Sequence, residues 1–420
     1  MNNISKITIA KNVTFTNIRD DRFKTAKLTV NMLLPLSNDT VSSNAILPFV
    51  LRRSCEKYKS FTQLNKKLAS LYGASLYADA RKLGEMQVLS LSALFLDDRY
   101  VLDSEGFSLE IADLICDMIF NPNVKDGKFN EEDFDQEKRQ LIETIESDYN
   151  DKRLYAKQRC EELMCNNEAY GINPFGNKAQ AEALKNNDVY EAWIRVLKNA
   201  RFEIMLIGNV KYENICECFK KRFKSINREP ELECSTLIVR SANGIHEYSE
   251  KIDVSQAKLV MGFRTDSAIP DSTVMATRLM SALFGETPQS KLFLNVREKL
   301  SLCYYCSSSY YKEKGIMYVQ SGVDECNIEK AKDEILKQLE NICKGDFDEE
   351  ELNSIKLSLS NSWISISDYL TGLENWYFMQ IFEDKIKSPR EKVKEILAVD
   401  KQAVIDAAKK VTLDTIYKLY

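Results

Sequence analysis

The chain has 420 residues, 44% of them hydrophobic and 29% charged, with a net charge of −5. That balance describes an ordinary globular protein with one large or two medium cores, and its acidity gives no support for general nucleic-acid binding. Charged residues interrupt every apolar segment, so nothing approaches the roughly 18 apolar residues of a membrane span, and the opening MNNISKITIAKNV lacks the apolar centre of an export signal.

Residues 27–36 (KLTVNMLLPL) read as a strand entering a core, followed by a polar turn and a helix over 42–59. Residues 61–72 place Leu64, Leu68 and Leu71 at helical spacing and stop at Gly73, a good helix terminator. A hairpin follows at 75–94, turning at KLGE, then a helix at 105–120. A long helix over 131–165, broken once, leads to an irregular stretch near 171–176, a helix at 188–198 and a strand at 201–208. Residues 226–248 are polar, hold Pro230 and Asn243-Gly244, and read as a linker with a short strand at 237–239.

Beyond the linker the same order returns. A strand at 257–263 is followed by a helix at 271–283, a hairpin at 301–323 turning at KEKG, a helix at 327–343, a helical stretch over 348–383, a helix at 400–410 and a last strand at 415–420. The chain is thus predicted to be α+β and duplicated. Two homologous α/β domains, 1–225 and 249–420 around the 226–248 linker, each form an antiparallel-rich sheet with helices packed on one side.

An odd count of 11 cysteines, without an export signal, argues for free thiols in the cytoplasm. Cys216 and Cys218 have the wrong spacing for a CxxC pair. Cys303 and Cys306 have it, but no second CxxC accompanies them and the surrounding SLCYYCSSSYY reads as strand, so packing is the simpler role. The single histidine, His246, lies near the end of the linker with no carboxylate or cysteine pair at ligand spacing, and reads as an exposed or edge-strand residue. One imidazole cannot supply the ligands of a hydrolytic zinc site. The chain also lacks G-x-S-x-G, G-x-x-x-x-G-K-[ST] and G-x-G-x-x-G, which leaves no support for a serine nucleophile or a phosphate loop.

Residues 284–304 read FGETPQSKLFLNVREKLSLCY. Together with the duplicated layout, this segment resembles the inverted-motif zinc peptidases, the family of pitrilysin, insulin-degrading enzyme and the mitochondrial processing peptidase. Gly285, Ser290, Leu292, Phe293, Arg297, Glu298, Leu302 and Tyr304 match the family pattern, and Ser301 stands where a glycine is usual. Active members carry His-x-x-Glu-His on a first-half helix. The matching SNAILPFVLRRS here offers only Leu47, Val50 and Leu51, or Ile46, Phe49 and Val50 in the other register. Glu137 resembles the first glutamate of the distal helix, but Thr144 stands at the ligand position. Glu137, Glu143 and Glu146 read more simply as a solvated helix face.

The resemblance therefore implies a subunit without metal or cofactor of its own. It implies a zinc-bearing homologue as heterodimer partner, in a clam-like pair, with a peptide or unfolded protein as substrate. Arg297 and Tyr304 match the Arg/Tyr pair with which the family's second domain holds substrate and stabilises the tetrahedral intermediate. Tyr305, Tyr310 and Tyr311 divide between cavity wall and core. The chain is also similar to the bacterial group associated with aminopentanol modification of elongation factor P. The alternative is a purely structural or peptide-binding subunit, as a scaffold or a homodimer, with no part in hydrolysis.

Overall fold

The computed structural model describes residues 3–102, 106–230, 235–383 and 385–420. Its contacts divide the chain into two units, one of 1–146 and 172–235, the other of 147–171 and 236–420. The last of its three breaks, at 235/236, falls within the expected 226–248 linker, of which residues 231–234 lie outside the described residues. The excursion of 147–171 into the second unit has no counterpart in a division made at residue 225.

The first unit opens with β1 (Asn3–Ala10), β2 (Val13–Arg19) and β3 (Thr25–Pro35). Helices α1 (Val41–Leu51) and α2 (Phe61–Ser70) lead to the hairpin β4 (Ser75–Leu83) and β5 (Met86–Leu96), then α3 (Phe107–Phe120). The expected start of α3 at 105 lies outside the described residues. A two-rung ribbon, β6 (Val124–Lys125) with β7 (Lys128–Phe129), precedes α4 (Glu131–Asn150). α5 (Lys152–Met164) is a separate helix because Asp151 caps it, accepting from the amides of Arg153 and Leu154 at 3.0 and 3.1 Å. α6 (Lys178–Ala183), α7 (Asn186–Asn199), β8 (Arg201–Gly208) and α8 (Tyr212–Lys224) complete this half.

The second half runs β9 (His246–Glu250), β10 (Ala257–Arg264), α9 (Val274–Ser281), β11 (Cys303–Tyr311) and β12 (Ile316–Val323). Helices α10 (Ile328–Lys344), α11 (Glu349–Ser365), α12 (Leu370–Phe378), α13 (Pro389–Leu397) and α14 (Lys401–Lys409) lead to β13 (Thr412–Leu419). Residues 237–239 form no strand, and the helix expected over 42–59 ends at Leu51, where Arg52 and Arg53 break the apolar run.

The strand order is β1-β2-β8-β3-β5-β4 in the first sheet and β11-β12-β10-β13-β9 in the second. Read in opposite directions the two coincide, with β1 as the extra strand. Each contains one parallel pair, β2 with β8 and β9 with β13, and is otherwise antiparallel. The first core joins alternate residues of β3 and β5 (Leu28, Val30 and Met32; Leu89, Leu91 and Ala93) to α1, α3 and α8. In the second unit Leu259, Met261 and Phe263 of β10 face the helices of α9–α14. Val260, with Tyr318 and Tyr417, faces Ala156, Cys160 and Met164 of α5. Because both faces of β10 are covered, AKLVMGF reads as a nearly continuous apolar run.

Candidate functional site

Helix α1 carries the segment that the resemblance matches to the metal helix, and it is a buried packing element. Ile46, Leu47, Val50 and Leu51 are all buried in the first core. Its polar contacts are structural: Asn44 donates to Gln87 Oε1 at 3.0 Å and accepts from Arg195 at 2.8 Å, while Gln87 donates to the carbonyls of Val41 and Pro174.

The distal helix has a different use from the solvated face expected of it. Glu143 and Glu146 are exposed, and Glu146 pairs with Lys178 at 2.6 Å, but Glu137 is buried. Arg53, just past the end of α1, reaches Glu137 at 3.1 Å and Asp133 at 2.9 Å, and Ser54 donates to Asp133 at 2.6 Å. Burial pushes the Glu137 carboxyl up, and the hydrogen bond from Arg53 pulls it part of the way back. Removal of one member of such a buried set leaves charge without a counter-charge, which typically costs about 3–5 kcal/mol. Thr144, at the ligand position, turns its hydroxyl onto the Gln140 carbonyl at 2.8 Å.

The donor set does not fit zinc. The positions that the resemblance gives to the two histidines and the base are hydrocarbon, and the acidic pair Asp133 and Glu137 is already engaged by the Arg53 guanidinium. Among the described residues no group of three or more His, Cys, Asp or Glu side chains is placed to hold a metal ion. His246 is exposed and opens the edge strand β9, paired with Thr415 of β13.

Arg297 and Tyr304 come from one continuous segment of the second unit. After α9 the chain makes a wide π-helical turn at Ala282–Glu286, then a second over Leu292–Lys299, where the amide of Leu300 bonds the Asn295 carbonyl at 3.1 Å. Both turns are clamped. Gly285 lies so close to β11 that a Cβ there would meet the Ser308 amide nitrogen at 2.6 Å. Leu292 and Val296 are buried, Asn295 donates to Gln338 of α10 at 2.8 Å, and Lys291 pairs with Glu351 of α11 at 2.7 Å. This leaves the Arg297 guanidinium at the surface, over the Phe293 ring at 4.7 Å and 3.6 Å from Glu298.

Tyr304 is the extra residue of a β-bulge. Cys303 pairs with Val323 and Tyr305 with Gly322, so Tyr304 has no cross-strand counterpart. It is 63% exposed, and its hydroxyl lies 3.4 Å from Asp324. The bulge also sets the thiols. Cys303 and Cys306, three positions apart, both face the second core because the extra residue restores their phase. Of the other tyrosines, Tyr310 is buried and donates to the Ser267 carbonyl at 2.7 Å, and Tyr305 lies beneath the Arg153 guanidinium at 4.3 Å. Burial pushes the Tyr305 phenol up to about 12. Tyr311 packs on Tyr318.

Residues 183–359 match the family model described as the peptidase M16 inactive domain. The probable inactive metalloprotease YmfF of Bacillus subtilis (strain 168) is 30% identical over 409 residues, covering 96% of this chain and 94% of that protein. A crystal structure of a conserved protein from Enterococcus faecalis V583 superposes with a TM-score of 0.92 at 29% identity, covering 99% of this chain and 98% of that one. A protease from Helicobacter pylori shares the fold at a TM-score of 0.79 and 16% identity, each chain being covered in full (100%). A likeness running almost from end to end, on a chain whose metal helix is filled with hydrocarbon, means that this protein belongs to the M16 peptidase family and is one of its inactive, metalloprotease-like members.

Proposed function

We propose that the chain is the zinc-free subunit of a cytoplasmic heterodimeric peptidase and lends Arg297 and Tyr304 to a partner that holds the metal. The observation that carries this reading is the placement of Tyr304. A bulge takes the phenol out of the sheet ladder and leaves it 63% exposed, on a strand clamped through Gly285 and the turn that bears Arg297. Bulges serve in this way where a side chain has to be aimed. In the assembled site the partner supplies zinc, its water and the base. The Arg297 guanidinium donates to a substrate carbonyl, and the Tyr304 hydroxyl donates one hydrogen bond to the oxyanion as it develops. β11 is an edge strand, so an extended peptide can add to it by main-chain pairing. The free cysteines support the cytoplasmic assignment. A zinc-motif homologue of the same organism is the partner this reading calls for, and the chain's similarity to the bacterial group associated with aminopentanol modification of elongation factor P is in keeping with it.

The test is peptidase activity on a broad peptide mixture for this chain alone, for such a homologue alone, and for the two together. Activity is expected only in the mixture. Tyr304→Phe should lower its kcat by about 100-fold, as loss of an oxyanion donor does, and Arg297→Ala should chiefly raise KM. Activity that survives both substitutions would sink this reading.

A second reading is a scaffold or peptide-binding subunit, alone or as a homodimer. It is favoured by the contacts that Arg297 and Tyr304 make within their own chain, to Phe293, Glu298 and Asp324. It predicts peptide binding without any effect of either substitution on a partner's turnover.

A further inference from the structure

We infer that Cys116 and Cys218 form a dithiol that closes to an intramolecular disulfide under hydroperoxide. Along the chain Cys218 has only Cys216 for company, yet in the fold its sulfur lies 3.6 Å from that of Cys116, 102 positions away, across the α3–α8 contact. Closure to a bond of about 2 Å requires the sulfurs to approach by roughly 1.5 Å. The helices are held together just C-terminal to the pair. Arg222 bonds Asp117 at 2.8 Å, and Phe120 meets Phe223 edge-on with ring centroids 5.0 Å apart.

The two thiols differ in access. Cys116 is fully buried and Cys218 is half-buried, which makes Cys218 the sulfur that meets oxidant. Its thiol donates to Asp113 at 3.1 Å, and Asp113 also lines a cavity of about 150 Å³. In the first step the Cys218 sulfur attacks one peroxide oxygen. An S–O bond forms, the O–O bond breaks, and the thiol proton leaves with the departing oxygen as water, with Asp113 as the relay. In the second step the Cys116 sulfur attacks the sulfenic sulfur. The S–S bond forms, the S–O bond breaks, and the Cys116 proton leaves on the second water. Two thiols and one hydrogen peroxide give one disulfide and two waters, the sulfurs losing two electrons and the peroxide gaining them.

The product closes a loop of about a hundred residues, which constrains the unfolded chain strongly. It should raise the Tm by roughly 5 °C or more, reversibly with dithiothreitol. The experiment is peroxide treatment of the full chain, alkylation, and non-reducing peptide mapping. The expected result is one linked pair, the Cys116 peptide joined to the Cys218 peptide with the loss of two hydrogens. The wild-type map requires no variant to fold. Cys116→Ser should leave Cys218 as a sulfenic acid trapped by dimedone, and Cys218→Ser should give neither link nor label. Recovery of both cysteines as free thiols, or Cys218 joined to any other cysteine, overturns the inference.

Discussion

Ser301 holds a left-handed backbone, φ 49°, two positions before β11 begins. A side chain in that conformation costs about 1–2 kcal/mol, part of which glycine returns through its greater freedom in the unfolded chain. Ser301→Gly should therefore stabilise the protein by roughly 0.5–1 kcal/mol, seen as a higher urea midpoint at unchanged m. Ser301, two positions ahead of the strand that presents Tyr304, is thus the place where the family pattern and the backbone ask for the same thing. Other single residues were legible only in part. Glu137 stood out in the sequence, but its partner Arg53 lies 84 positions earlier with no periodicity linking the two, so a buried ion pair read as a wet helix face. The dithiol of α3 and α8 was hidden in the same way.

At the level of elements the turns around 282–299 decide how β11 is held. Gly285→Ala would bring its Cβ to 2.6 Å from the Ser308 amide and 2.7 Å from Leu292. The backbone amide cannot step aside, so the turn has to lift from the strand, at a cost of about 1–3 kcal/mol. A thermal melt checks the stability. In the heterodimer proposed above, the same variant should depress activity beyond what its folded fraction explains. The duplicated strand–helix–hairpin–helix order was legible because β3, β5, β10 and β12 are buried and apolar. β1 and β2 were not, since NISKITIA and VTFTNIR mix polar residues into their alternation, and β9 is a short edge strand with three of its five residues exposed. α13 had a readable start, Ser388-Pro389 with Glu391 completing a capping box, hidden in a polar stretch.

Across the molecule the acid response follows from carboxylates held by cations. Burial alone would raise Glu168, yet hydrogen bonds from Arg264 and Lys314 keep it below its ordinary 4.5. Glu383 is held down in the same way by Lys312 and Lys392. A folded value below the unfolded one means that the unfolded chain binds these protons first. The stabilisation is complete above the ordinary carboxylate range and fades as pH falls through the lower folded value. The urea midpoint should hold from about pH 7 to 5 and decline below about 4.5. In Glu168→Gln, starting from a lower midpoint, the decline should be shallower, because one group no longer takes up a proton on unfolding. Glu137, raised by burial, acts in the opposite sense, its contribution being greatest in acid.

The excursion of residues 147–171 also bears on the order in which a ribosome delivers the chain. Ala156, Cys160, Met164 and Tyr170 leave the exit tunnel with the first half, whereas the surface that covers them includes Tyr417 and Leu419 of the last strand. This apolar segment has no mate until Val260 of β10 and Tyr318 of β12 follow, and its cover is complete only with β13. Until then it is a natural binding site for holding chaperones, and a variant lacking β13 would bare the part of it that Tyr417 and Leu419 cover, with Val260 and Tyr318 still packed on the rest.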